Sequence, residues 1–490
     1  MTFSARDCHG TAGPRWIRLQ AVLSGAGGLS FDTDRKMGTS PSNSGRRRVV
    51  SLLQEFSIPL IAGVVVAVVV ANFAPALYHN LVHTPIHQFD TLFDRESVGH
   101  ESDSEEGGSS DQAEASLVME EASEEAHGHG HSAADHYLTL HFIINDLFMV
   151  IFFGIAAKEI TEACLPGGAL NPVRRAINPL LGTVGGVVGP IGVYFILNAA
   201  LGVEAWRRGW GIPTATDIAL AWLVARAVFG AGHPAISFLL LLAVADDGIG
   251  LAIIAIFYPN PHLPTEWLQA LWIVPGMLVC WFFRSKGVRD WFPYIACGGV
   301  LSWHGFHSAH LHPALALVPI VPFLPGPKRD IGLFTESVDY ENVEAEAHSE
   351  GHNFGHSPLE SFEHDMKAFV DFGLFFFAFA NAGVVFSDIN NLTWIVFASL
   401  LFGKLFGITL FSYAGDKIGF PLPAGMGVKH LIVASVIAGI GLTVALFVAG
   451  QAFPDMGRPE QGAAKMGALF SGAIAIIALG LGRTLGVRGK

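Results

Sequence analysis

Pro234-Ala-Ile-Ser-Phe-Leu-Leu-Leu-Leu-Ala-Val-Ala-Asp246-Asp247-Gly-Ile-Gly-Leu-Ala-Ile-Ile-Ala-Ile-Phe257 is an apolar run interrupted near its centre by two adjacent carboxylates. Coiled as an α-helix it is long enough to cross the roughly 30 Å hydrocarbon core of a bilayer. A charged side chain at mid-bilayer costs about 2.5–3.5 kcal/mol on insertion scales, and intramembrane carboxylates therefore mark ion or proton paths. The run predicts both a membrane fold and a reason for it.

Working outward, about twelve runs of this kind fill the 490 residues. They are 54–77, 138–163, 178–201, 211–229, 235–258, 265–284, 291–305, 309–325, 368–387, 392–413, 428–451 and 465–485. Hydrophobic residues make up 51% and charged residues 14% of the chain, so an all-α multi-span membrane protein is expected and a soluble multidomain enzyme excluded. The net charge of -13 is local in origin. Residues 94–125 hold twelve acids and one Arg, and residues 330–365 hold ten acids and no base; without them 20 acids face 28 bases, about +8. Nothing in this distribution points to nucleic acid. Cys8, Cys164, Cys280 and Cys297 lack CxxC spacing, so neither a disulfide framework nor a thiolate metal site is expected.

Residues 1–50 read as a Gly/Ser/Arg-rich cytoplasmic tail without the apolar core of a signal peptide, and Met37 offers an alternative start. Residues 51–490 read as one transmembrane domain with two hydrophilic inserts, 94–135 and 328–366. Lys and Arg accumulate in alternate loops, at Arg46–Arg48, Arg174–Arg175, Arg226, Arg284, Lys417 and Arg483, which by the positive-inside rule puts both termini and the second insert in the cytoplasm. Arg207 and Arg208 are the exceptions. The outer insert ends in His127, His129 and His131, with His136 close by, and the inner one carries His348, His352, His356 and His364. Flexible His tracts bind metals weakly and without selectivity, so solvated loops are the simpler reading.

Other polar groups also stand inside apolar runs. Asp217 follows Pro213-Thr-Ala-Thr216, Lys404 lies alone in the tenth run, and Gly439-Ile-Gly441-Leu-Thr443 interrupts the eleventh. With runs three to five and ten to twelve taken as triplets, the interrupted helix is the middle one of each. Inverted repeats with a midplane site have this arrangement, and charges such as Asp217 and Lys404 can compensate the exposed half-helix ends. Each also has a plainer reading: a lone buried ion pair for Asp217 or Lys404, and back-bonding to the helix for Thr214, Thr216 and Thr443.

Six segments in order carry a resemblance to the NhaA sodium/proton antiporters: Ile144-Asn145-Asp146, Pro213-Thr-Ala-Thr216-Asp217-Ile-Ala, Ala245-Asp246-Asp247-Gly, Phe377-Ala-Phe-Ala-Asn381-Ala-Gly-Val, Gly403-Lys404-Leu-Phe-Gly-Ile and Gly439-Ile-Gly441-Leu-Thr443. The resemblance implies two discontinuous crossing helices, with Asp247 as the main cation and proton ligand, Asp246 beside Lys404, and Asp217 with Thr216 supporting the crossing. It further implies cytoplasmic pH sensing, for which Glu159, Glu363 and His364 are the matching positions. Na+ or Li+ and protons would be the substrates, a bacterial inner membrane the location, a homodimer an option, and no cofactor is required. The line Lys158-Glu159-Ile-Thr-Glu162 departs from the family's charge order, and both inserts are long. Two other classes stay open: an intramembrane aspartyl hydrolase using Asp217 with one of the pair, and a divalent-metal transporter using the His loops.

Overall fold

The computed structural model describes residues 57–85, 139–166, 168–171, 173–259, 263–326, 357–454 and 459–487. The tail 1–50, both acidic stretches for the most part, and all the insert histidines except His364 lie outside them. Among the described residues there is one isolated bridge, Pro85 with Thr139, and otherwise helix and turn.

The helices are α1 (Ile58–Phe73), α2 (Pro75–His83), α3 (Leu140–Cys164), α4 (Val173–Leu201), α5 (Ile218–Phe229), α6 (Pro234–Phe257), α7 (Ile273–Ser285), α8 (Val300–Ser308), α9 (Pro358–Asn381), α10 (Asn391–Lys417), α11 (Val428–Ile437), α12 (Leu442–Ala452) and α13 (Pro459–Thr484). Five of them are long and apolar enough to cross a membrane alone. Two bent pairs add two more spans: the 3-10 segment Glu204–Thr214 with α5, bent by 57°, and α11 with α12, bent by 49°. Both bends fall where Pro213 and the Gly439–Gly441 stretch interrupt the apolar pattern. Large apolar side chains such as Val65, Phe73, Ile196, Phe406 and Ile476 are exposed, a surface suited to lipid and unfavourable in water.

Two stretches differ from the sequence reading. Residues 309–325 form linked 3-10 turns, including Pro313–Leu315 and Val321–Phe323, in place of a continuous helix. Pro313, Pro319, Pro322 and Pro325 each remove a backbone donor, which ends any α-helical ladder within a turn or two. In the other direction, residues 358–366 belong to α9 and not to the insert. A capping box starts the helix there: Ser357 Oγ accepts from Glu360 N at 3.3 Å while Glu360 Oε2 accepts from Ser357 N at 2.8 Å, with Pro358 in the first turn. Leu359 and Phe362 bury the inner face of this polar-looking turn.

α4 and α10 touch backbone to backbone. A Cβ on Gly185 would stand 2.2 Å from the Gly407 carbonyl oxygen, and one on Gly189 would stand 2.3 Å from that of Gly403. Small residues four apart on both helices permit this approach, the small-xxx-small packing of membrane helices. The contact positions Lys404, which lies between the two glycines of α10. Gly407→Leu is therefore expected to lose at least the ~1–3 kcal/mol of an overpacked core. A lowered melting temperature of the detergent-purified protein checks it; an unchanged one would contradict the packing.

Candidate ion-exchange site at the helix crossing

The two bends meet, and each middle segment leaves unpaired helix ends that polar side chains must satisfy. Asp217 does this for both. As the N-cap of α5, its Oδ1 accepts from Leu220 N at 3.0 Å. Its Oδ2 accepts from the Thr443 hydroxyl at 2.9 Å and from Thr443 N at 3.3 Å, in the first turn of α12. The Asp217 amide in turn donates to the Ile440 carbonyl at 2.7 Å. One carboxylate thus caps two half-helices, placing its negative charge at two partial positive N-termini.

Gly441 closes the crossing from the other side. A Cβ there would meet Leu400 at 2.8 Å and the Ala215 carbonyl oxygen at 2.9 Å, and its amide donates to Ser471 Oγ at 3.2 Å. Ser471, on α13, carried no signal in the sequence.

Lys404 and Asp246 are both fully buried and form an ion pair. The ammonium also donates to the Thr214 carbonyl at 2.5 Å, a backbone group freed because the 3-10 segment ends there. Thr216 Oγ1 lies 3.0 Å from Asp246 Oδ2 and 2.9 Å from the Ala438 carbonyl oxygen. Its hydroxyl therefore ties α6, through Asp246, to the end of α11. Of the three threonines, only Thr214 bonds back locally, to Gly211 O at 2.7 Å. A π-helical turn, Ser399–Gly403, immediately precedes Lys404. Such a turn re-registers the residues after it and is frequent at functional sites.

Asp247 is set differently. Adjacent helix positions point about 100° apart, so it cannot share the face that meets Lys404. Its Oδ1 is buried without a hydrogen-bond partner, as is Oδ1 of Asp246. The charges acting on it are those of Glu159, Asp246, Asp217 and Lys404. Two carboxylate oxygens from consecutive residues thus stand free of protein donors, and hard cations prefer oxygen ligands of this kind.

The remaining motifs come together in two further places. Asn381 Nδ2 donates to Asn145 Oδ1 at 2.9 Å, joining α9 to a second π-turn, Ile143–Phe148, that also carries Asp146. Lys158 pairs with Glu162 at 2.5 Å and with Glu363 across to α9. The sequence marked Lys158 and Glu363 separately but not as partners; the pairing was invisible because the residues lie 205 positions apart. Glu159 is half-buried next to this cluster, and His364 is exposed. Among the described residues no three His, Cys, Asp or Glu side chains converge as a metal-binding group.

The family model described as Na+/H+ antiporter 1 matches residues 116–481. A protein of Geobacter sulfurreducens named Na(+)/H(+) antiporter NhaA is 51% identical over 444 residues, 90% of this chain and 99% of that protein. A protein of the same name from Desulfitobacterium hafniense is 51% identical over 446 residues, 91% of this chain and 98% of its own length. A more distant one from a Jannaschia species is 40% identical over 458 residues, 89% of this chain and 97% of its own length. With this identity and coverage together, the chain is a member of the NhaA family of Na+/H+ antiporters, multi-span membrane transporters and not enzymes.

Proposed function

We propose that this protein exchanges Na+, and also Li+, for protons across the bacterial inner membrane, exporting the cation from the cytoplasm and serving pH and sodium homeostasis. The observation that carries the reading is the split environment of the two aspartates: Asp246 is tied to Lys404 and Thr216, while Asp247 one residue on keeps a buried oxygen without a partner. A carboxylate removed from water needs either a proton or a cation to offset its charge, so the two compete for one site. When Asp247 faces one side at a time, that competition alone gives antiport without ATP. Loss of protons from both Asp247 and the Asp246–Lys404 pair for each cation bound makes the exchange electrogenic.

Asp217, Thr216, Gly441 and Thr443 hold the crossing. In this reading Glu159, Glu363 and His364 serve as pH-sensing groups at the cytoplasmic end, with both termini on that side and two protomers associating.

The hydrolase reading fares worse on one specific point. Both Asp217 oxygens accept hydrogen bonds in capping α5 and α12, which gives this carboxylate a structural task at the crossing that a catalytic dyad does not call for. The deciding measurement adds Na+, Li+, K+ or Zn2+ to acid-loaded everted vesicles across a pH series. Na+ and Li+ should collapse the proton gradient, and no response to either would overturn the assignment. Deleting residues 127–131 should leave the Na+ response within about twofold; its abolition would favour the divalent-metal reading.

A further inference from the structure

Away from the crossing, at the end of the bundle where α1 passes into α2, lies a cavity of about 340 Å³ lined by His79, His83, His141, Lys465, Tyr78 and Gln461 among others. Its basic groups come from three separate elements. His79 and His83 are one turn apart on α2, their ring centres 4.7 Å apart, and His141 of α3 follows at 5.4 Å from His83. Lys465 enters from α13. Its side chain runs past Gly450 of α12, where a Cβ would lie 4.0 Å from the lysine Cε.

Lys465 is 8% exposed and makes no hydrogen bond or ion pair among the described residues. A long cationic side chain this largely buried loses most of its hydration, and no group among the described residues replaces it. The neutral polar groups nearby are already engaged. Tyr78 donates to the Phe379 carbonyl at 2.7 Å and accepts from Gly383 N at 3.2 Å, and the Gln461 amide donates to the Phe453 carbonyl at 2.6 Å. Asp388 lies one helical turn from Lys465, against Gly462.

Three imidazoles invite a metal, but two observations oppose it. No three ligating side chains converge among the described residues, and an ammonium in the same cavity repels a divalent cation. The same set suits an anion, since every group in it donates hydrogen bonds or becomes positive on protonation. We propose that this cavity is a binding site for a small oxyanion, held by Lys465 with His79, His83 and His141. On the topology proposed above it opens to the external side.

Burial, then the neighbouring His79 and Lys465, push the His83 imidazole down to about 4. An anion among these groups would raise it again, so binding takes up protons and must tighten as pH falls. His79, His141, Lys465 and Tyr78 are the other titratable groups that face it.

The test is equilibrium binding of radiolabelled sulfate, which stays a dianion from pH 8 to pH 6, to the purified full-length protein. Saturable binding near one per chain is expected, several-fold tighter at pH 6. K465M should weaken it at least tenfold and H83F should reduce its pH dependence, while D247N leaves it unchanged. Thermal unfolding of each variant establishes that it is folded.

Parallel samples in lipid-free detergent and in phosphatidylglycerol nanodiscs separate the sources. Binding in both identifies a free solute as the ligand, and binding in detergent alone identifies a lipid phosphate in the same site. No saturable binding in either, wild-type affinity in both K465M and H83F, or tight Zn2+ binding that displaces sulfate would overturn the proposal.

Discussion

Asp247→Asn is expected to abolish the Na+- and Li+-induced collapse of the proton gradient while leaving the protein folded and inserted. The amide has nearly the same shape but carries no charge, so it can neither hold a transported proton nor offset a cation. Removing one member of a buried, closely matched charge interaction costs about 2–5 kcal/mol. At 1.4 kcal/mol per decade this is roughly a 30- to several-thousand-fold loss of apparent cation affinity. Fluorescence dequenching in everted vesicles measures it directly. Because Asp247 makes no cap or helix-crossing hydrogen bond among the described residues, its melting temperature should change little. Wild-type exchange in this variant would overturn the assignment of Asp247, and a collapsed fold would mean that it is structural.

Lys404→Met should have the largest effect on stability. Lys404 and Asp246 are both fully buried, and the lysine also satisfies the Thr214 carbonyl in the bend. Taking one partner from a buried pair strands the other charge, at a cost of about 3–5 kcal/mol, whereas replacing both can be neutral. The expected order of melting temperatures is therefore wild type, then the Asp246→Asn/Lys404→Met double variant, then Lys404→Met alone. A single variant as stable as the double one would show that the pair is not coupled. The electrical readout is separate: without the pair, one proton fewer is expected to accompany each cation, and current on a solid-supported membrane should fall relative to the pH signal.

Asp217→Ala tests the crossing itself. It removes the caps of α5 and α12 together, each worth about 0.5–2 kcal/mol. Asp217→Asn keeps one acceptor oxygen and should lose less stability. Equal losses in the two would argue that the charge and not the capping geometry is what matters.

Apolarity was legible in the sequence wherever it ran unbroken. A 24-residue run such as Pro234–Phe257 has little choice in a bilayer, because only a helix satisfies its own backbone there. The breaks were legible for a related reason: proline and paired glycines in apolar runs disrupt the same ladder. Less legible were 309–325, where four prolines defeat an otherwise helical hydropathy, and 358–366, where a capping box and the buried Leu359 and Phe362 make a helix from residues that look like loop.

For the site, the sequence by itself determined which charges stand in the membrane, since the price of burying Asp217, Asp246, Asp247 and Lys404 marks them without any knowledge of neighbours. It also kept Asp246 and Asp247 on different faces, by helix geometry alone. Only the tertiary structure decided what each one meets. That Asp217 caps two half-helices, that Lys158 reaches Glu363 and that Lys465 stands among three histidines all depend on helix contacts set by close packing, such as the glycine seam between α4 and α10, and so does the joining of Lys404 to Asp246 across 158 residues, which only the family resemblance had implied. Local pattern fixes the cost of a buried charge. Its partner lies at long range, and a partner is a matter of position.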